Sequence, residues 1–234
     1  MMNRMMWKLA VLGLLFAFGL QSDARPQNDR VELLLTGEEY DSTDLPPNSA
    51  GTWWVLHRQG EGVVLETLPV LVTSVRGCGD EVPGQQSGRT VSVPEARDPI
   101  LLVRGLPNPT AGPVRTAFLD HDGRGEQARV KAEWGAQPVV VQHLAEPPSG
   151  DRPGEYRVDF ALGDDQFRLL SDQWHGDGHW RVRWIGDLNR DGWPDLLIDA
   201  SYKYSVYTTR LYLSRERGGR LDMREVVRFE HAAC

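Results

Sequence analysis

His179 to Ala200 reads HWRVRWIGDLNRDGWPDLLIDA. In Trp180-Arg-Val-Arg-Trp184 apolar and charged residues alternate, as on a half-buried antiparallel strand. Leu196-Leu-Ile198 is an apolar run of strand length. Between them, Asp187-Leu-Asn-Arg-Asp-Gly-Trp-Pro-Asp195 sets side-chain oxygens at its positions 1, 3, 5 and 9: Asp187, Asn189, Asp191 and Asp195. Carboxylates and carbonyls are the ligands of a hard cation such as Ca²⁺, which takes six to eight oxygens. Gly192 permits the sharp turn that wraps the chain around an ion, and Trp193 at position 7 can add its backbone carbonyl. Pro194 stiffens the exit into the second strand. Without a cation, three Asp in one loop repel one another, although a metal-free polar hairpin turn is the plainer alternative.

Outward from this loop the same grammar continues: short apolar or alternating runs broken by Gly, Pro, Asn and Asp. Thr52 to His57, Val63 to Val75 (read as two strands interrupted near Pro69), Arg89 to Val93, Ile100 to Arg104 and Val114 to Leu119 are strand candidates. So are Gln127 to Trp134, Pro138 to Leu144, Tyr156 to Leu162, Gln166 to Leu170, Thr208 to Leu213 and Met223 to Phe229. No window carries a capped 3.6-residue apolar stripe, and 24 Gly and 15 Pro punctuate too often for long helices. The expected fold is all-β, built from short antiparallel strands as a propeller-blade-like unit or a sandwich, with few helices. Residues 25–50 read as an extended N-terminal segment with an edge strand at Val31 to Leu35. A first β half follows over 51–145, and a second over 155–234; the Pro- and Gly-rich Glu146 to Gly154 separates them.

An EF-hand would place Glu at position 12 and a helix on either side, whereas position 12 is Ile198 and the flanks read as strands. The stretch 185–214, IGDLNRDGWPDLLIDASYKYSVYTTRLYLS, instead resembles the FG-GAP or VCBS repeats, the calcium-loop blades of integrin-alpha-like β-propellers. The resemblance covers about thirty residues and includes Leu211-Tyr212-Leu213, which fits the aliphatic-Tyr-Leu strand of such blades. It implies a structural Ca²⁺ held by Asp187, Asn189, Asp191, Asp195 and the Trp193 carbonyl. Asp120-His-Asp122-Gly-Arg-Gly-Glu126, within 118–126, can be laid over the same loop as a decayed second copy, with Phe118 where the first ligand belongs. An ordinary acidic turn is the simpler and preferred reading. One good repeat is too few for a seven-bladed propeller, so an integrin-like ligand role does not follow.

The first residues differ from the rest. Arg4 and Lys8 precede an apolar run from Leu9 to Leu20, followed by Ser22-Asp-Ala24. A basic start, a short apolar core and small residues at a cut describe a secretory signal peptide over residues 1–24. The run is too short to span a bilayer as a helix, although an uncleaved anchor is the alternative. Removing it takes away Arg4, Lys8 and Asp23 and leaves 24 basic against 32 acidic residues, a net charge of −8. That balance speaks against a nucleic-acid ligand. An exported chain whose two cysteines are Cys78 and Cys234 is expected to join them in one disulfide. Two separate thiols or an intermolecular bond remain as alternatives.

Catalytic motifs are missing from the sequence: there is no G-x-S-x-G elbow, H-E-x-x-H pair or phosphate-cradling glycine loop. His175-Gly-Asp177-Gly-His179 offers two His and an Asp, one ligand short of a convincing transition-metal site. Tyr202, Tyr204 and Tyr207, with Trp53-Trp54, could present an aromatic surface to a protein or carbohydrate partner, or simply fill a core. The expectation is a periplasmic or secreted calcium-binding interaction module. An extracytoplasmic hydrolase on the same scaffold and a structural accessory protein of the cell envelope are the alternatives.

Overall fold

The computed structural model describes residues 30–120, 129–150, 154–174 and 178–232. The expected signal peptide, residues 1–24, lies outside them. Among the described residues no helix is long and apolar enough to cross a membrane. The strands, in chain order, are β1 (Glu32–Leu34), β2 (Glu39–Asp41), β3 (Gly51–Gln59), β4 (Gly62–Val75), β5 (Gly88–Ser92), β6 (Arg97–Arg104), β7 (Gly112–Val114) and β8 (Thr116–Leu119). They continue as β9 (Arg129–Trp134), β10 (Gln137–Glu146), β11 (Gly154–Leu162), β12 (Asp165–Trp174), β13 (His179–Gly186), β14 (Asp195–Ser201), β15 (Val206–Arg217) and β16 (Arg220–Ala232). Every pairing is antiparallel. The chain is therefore all-β and antiparallel, as its punctuation implies.

Three sheets result. A seven-stranded sheet runs β1-β6-β3-β4-β5-β2, with β7 on β4; a four-stranded sheet runs β12-β11-β10-β9; a five-stranded sheet runs β16-β15-β14-β13-β8. β1 lies at the sheet edge that the Val31 to Leu35 run suggests. β4 is one strand of 14 residues rather than two. Gly62 to Val70 pair with β3, and Leu71 to Val75 pair with β5. Pro69, exposed and in register with Thr52, stands just before this exchange of neighbours.

The five-stranded sheet is the middle layer. Leu197, Leu211, Leu213 and Phe229 pack into one apolar cluster with the N-terminal sheet. Leu196, Ile198, Ala200 and Tyr212, on the other face, pack with Val139, Val141, Val158 and Phe160 of the four-stranded sheet. Successive side chains of a strand point to opposite faces, so Leu196-Leu197-Ile198 feeds both cores in turn. All seven residues of β14 are buried as a result. β11, by contrast, alternates buried and half-buried positions throughout: one face meets the core and the other meets solvent. The Glu146 to Gly154 stretch joins β10 to β11, whose register runs from Val139–Leu162 to Glu146–Glu155. Residues on either side of it thus share one sheet.

Candidate metal centre

The hairpin of β13 and β14 closes on the pair Gly186–Asp195, and residues 187–194 form its loop. Gly186 is required there. A Cβ would lie 2.5 Å from the Arg115 carbonyl oxygen, and that carbonyl accepts the Asp187 N–H at 2.9 Å. Within the loop Arg190 (φ 61°) and Gly192 (φ 91°) occupy the left-handed region. Such residues turn the chain tightly, at a steric cost for arginine and little for glycine.

All four sequence-selected side chains belong to this turn. Asp195 is fully buried. Its Oδ2 accepts the Leu188 N–H at 2.8 Å, and its Oδ1 accepts the Ser214 N–H at 2.8 Å, so it ties the loop to β15. Asp187 accepts the Gly192 N–H on Oδ2 at 2.9 Å. Asn189 accepts the Asp191 N–H at 3.1 Å and donates its amide to Asp191 Oδ2 at 2.9 Å. Asp191 Oδ1 accepts the Trp193 N–H at 2.9 Å. Trp193 is half-buried against the core shared with the four-stranded sheet. The side chains thus face their own loop's N–H groups. Among the described residues no three His, Cys, Asp or Glu side chains form a group that could hold a metal ion.

One atom is left out of this network. Asp187 Oδ1 is buried and has no hydrogen-bond partner, in a residue only 8% exposed. A buried acceptor without a donor is costly. Burial pushes the Asp187 carboxyl above the usual range and the Asp191 carboxylate adds to the rise, against the N–H groups of Gly192, Arg190 and Asp191. Burial drives Asp195 up much further. The Ser214 and Leu188 N–H groups oppose it, and Asp191 and Asp187 reinforce it. Buried carboxyl groups so close together are costly to ionise, a cost that a bound cation would lower.

Two residues that sequence reading passed over complete the frame. Trp134 donates its Nε1–H to the Gly192 carbonyl at 2.9 Å and lies beneath the Arg115 guanidinium, 3.8 Å from the ring centroid. Ser214 supplies the β15 anchor. Both are far from the loop in sequence, and neither carries a local signal.

The other candidates separate. Trp53 is 1% exposed, donates to the Ser49 carbonyl at 2.8 Å and lies under Arg104; it fills the core and forms no surface with the tyrosines. Tyr204 is exposed, and Tyr207 sits between the rings of His179 and His231 at 5.2 Å from each. His175 and Asp177 lie outside the described residues, as do Asp122 and Glu126. Asp120 is described: its N–H donates to the Arg183 carbonyl at 3.0 Å, and its carboxylate lies 4.0 Å from Arg181. Cys78 Sγ lies 4.0 Å from Glu39 Oε1, while Cys234 is outside the described residues. The chain matches no family model, no curated protein and no solved structure.

Proposed function

We propose that the chain is an exported binding module whose Asp187–Asp195 loop holds one structural calcium ion, as the likeness of 185–214 to FG-GAP repeats implies. The observation that carries the reading is the orphaned, buried Oδ1 of Asp187, in a loop where burial drives the Asp187 and Asp195 carboxyls toward protonation. Asp187, Asn189, Asp191 and Asp195, with the Trp193 carbonyl, would be the ligands; they are not gathered as a metal site in the present arrangement, so binding would draw them from the loop N–H groups they now accept. Bound, the cation offsets the charge of three Asp; Asp195 then couples the filled loop to β15 through Ser214. Calorimetric titration of the metal-stripped full chain with Ca²⁺ should give saturable heat, and Asp191→Ala should abolish it. Equal heats from the two proteins, or none from the wild type, would overturn the assignment.

A Cys78–Cys234 disulfide belongs to the same reading. The end of β16 lies against β2: the His231 ring meets Tyr40 edge-to-face at 4.8 Å, and the Ala232 N–H reaches Asp44 at 3.4 Å. Glu39, the neighbour of Cys78, precedes Tyr40 in that strand. Such a bond anchors the final strand and, in the chain-entropy model, stabilises by up to about 5 kcal/mol for a loop this long. Intact-mass measurement without reductant should show the loss of two protons; complete alkylation of both thiols in the native, unreduced protein would reject the bond.

A further inference from the structure

We propose that the outer face of the four-stranded sheet is the module's ligand face and takes a carbohydrate bearing carboxylates, a hexuronic acid oligomer. This deepens the binding-module reading and is independent of the calcium ion.

Strand alternation sets the face. Val130, Val139, Val141, Val158 and Phe160 enter the core, so the residues between them point outward. The register aligns these outward residues into two rungs across all four strands. Arg129 pairs with Gln142, Gln142 with Asp159, and Asp159 with Arg168. Beside them Lys131 pairs with Val140, Val140 with Ala161, and Ala161 with Gln166. A groove of about 530 Å³ lies over these rungs, within the range of small-molecule and saccharide pockets.

The chemistry of the rungs is specific. Val140 and Ala161 give an apolar floor, suited to the C–H face of a sugar ring. Gln142 and Gln166 beside it both donate and accept, which matches hydroxyl groups. Arg129 and Arg168, at opposite ends of one rung, stand three strand spacings apart, roughly 14 Å; each guanidinium can fork a carboxylate. Asp159 touches Arg157 at 3.3 Å and Arg168 at 3.5 Å, but these half-exposed pairs are weak and yield readily to a ligand. In the groove lining Arg129 and Arg168 thus face the single Asp159, and Lys131 and Arg157 flank it on the same face. Glu133, Glu146 and Glu155 sit at the ends of the same face. Across the whole face these four basic and four acidic residues balance, but at the groove two arginines outnumber one aspartate, and in a chain of net charge −7 that local excess favours an acidic ligand.

The test titrates the full chain with an oligomer of hexuronic acid, a neutral hexose oligomer of the same length, and a polyglutamate peptide of the same charge. The uronate should bind and weaken as salt rises, with no binding of the neutral oligomer and at least about tenfold weaker binding of the peptide. Arg129→Ala combined with Arg168→Ala, two exposed side chains, should cost at least about tenfold in uronate affinity. Absence of uronate binding, equal binding of polyglutamate, or an unaffected double variant would overturn the inference. Calcium titration of the same protein is read separately, so uronate binding without calcium heat fails only the metal assignment, and the reverse fails only this one.

Discussion

Asp199→Ala is expected to lower the stability of the protein by about 3 kcal/mol, the lower end of what removing one partner from a buried ion pair costs. Asp199 is only 4% exposed, on the face of β14 turned to the N-terminal sheet. Its carboxylate accepts Arg181 Nε at 2.7 Å, Arg183 Nε at 2.7 Å and the Thr209 hydroxyl at 2.6 Å. Glu38, immediately before β2 of the facing sheet, reaches Arg183 at 3.5 Å. Without Asp199 two guanidinium groups stay between the layers with much of their compensation gone. They retain some exposure, 22% and 19% of their side-chain areas, which places the cost at the lower end.

The same cluster has a pH signature. Burial alone would push the Asp199 carboxyl up, but Arg183, Arg181 and Thr209 outweigh it and hold it below the ordinary value. A folded-state pKa below the unfolded one contributes stability above the unfolded pKa, and that stability is lost as pH falls through the folded pKa. Urea melts of the wild type and Asp199→Asn at about pH 7 and about pH 3 should therefore show a gap that narrows in acid. An equal gap at both values would remove the ionised carboxylate from the account.

Asp195→Ala is expected to act twice. It deletes the acceptor of two buried N–H groups, Leu188 and Ser214, at about 1–3 kcal/mol each. At roughly 2–4 °C per kcal/mol for a chain of this size, the melting temperature should fall by about 10 °C. It should also end the response to calcium. In the wild type, free Ca²⁺ at a hundred times its dissociation constant stabilises by about 2.7 kcal/mol, a rise of about 5–10 °C over the chelated protein. The variant should melt alike with calcium and with chelator. If calcium raised both melts equally, Asp195 would be a structural tie and no ligand.

Asp195 also shows how far sequence reading reaches. Its place at the end of an acidic turn, the glycine at position 192 and the strand on either side are local properties, fixed by dihedral preference and residue spacing, and all were legible. The alternation of Tyr156 to Phe160 gave its faces for the same reason, but that of Trp180 to Trp184 did not: a bulge between Val182 and Trp184 sends Trp184 into the opposite core from Trp180 and Val182. Ser214 as the anchor of Asp195 and Trp134 as the anchor of the Gly192 carbonyl were not legible. Backbone N–H groups are alike at every residue, and contacts 19 and 58 residues apart depend on which strands become neighbours. Nor could Leu196-Leu197-Ile198 reveal that it serves two cores. A continuous apolar run is equally consistent with one thick core, and only the arrival of a separate sheet on each face distinguishes them.

The sequence by itself thus determined an all-β antiparallel chain and a turn rich in cation-seeking oxygens, because strand alternation and turn chemistry act between close neighbours. The tertiary structure decided that the five-stranded sheet lies between the other two. It also set Asp199 between two arginines, left one oxygen of Asp187 buried and unpaired, and aligned Arg129, Gln142, Asp159 and Arg168 into one rung. Each of these depends on strand register and layer order, which are set by the cooperative burial of residues far apart in the chain.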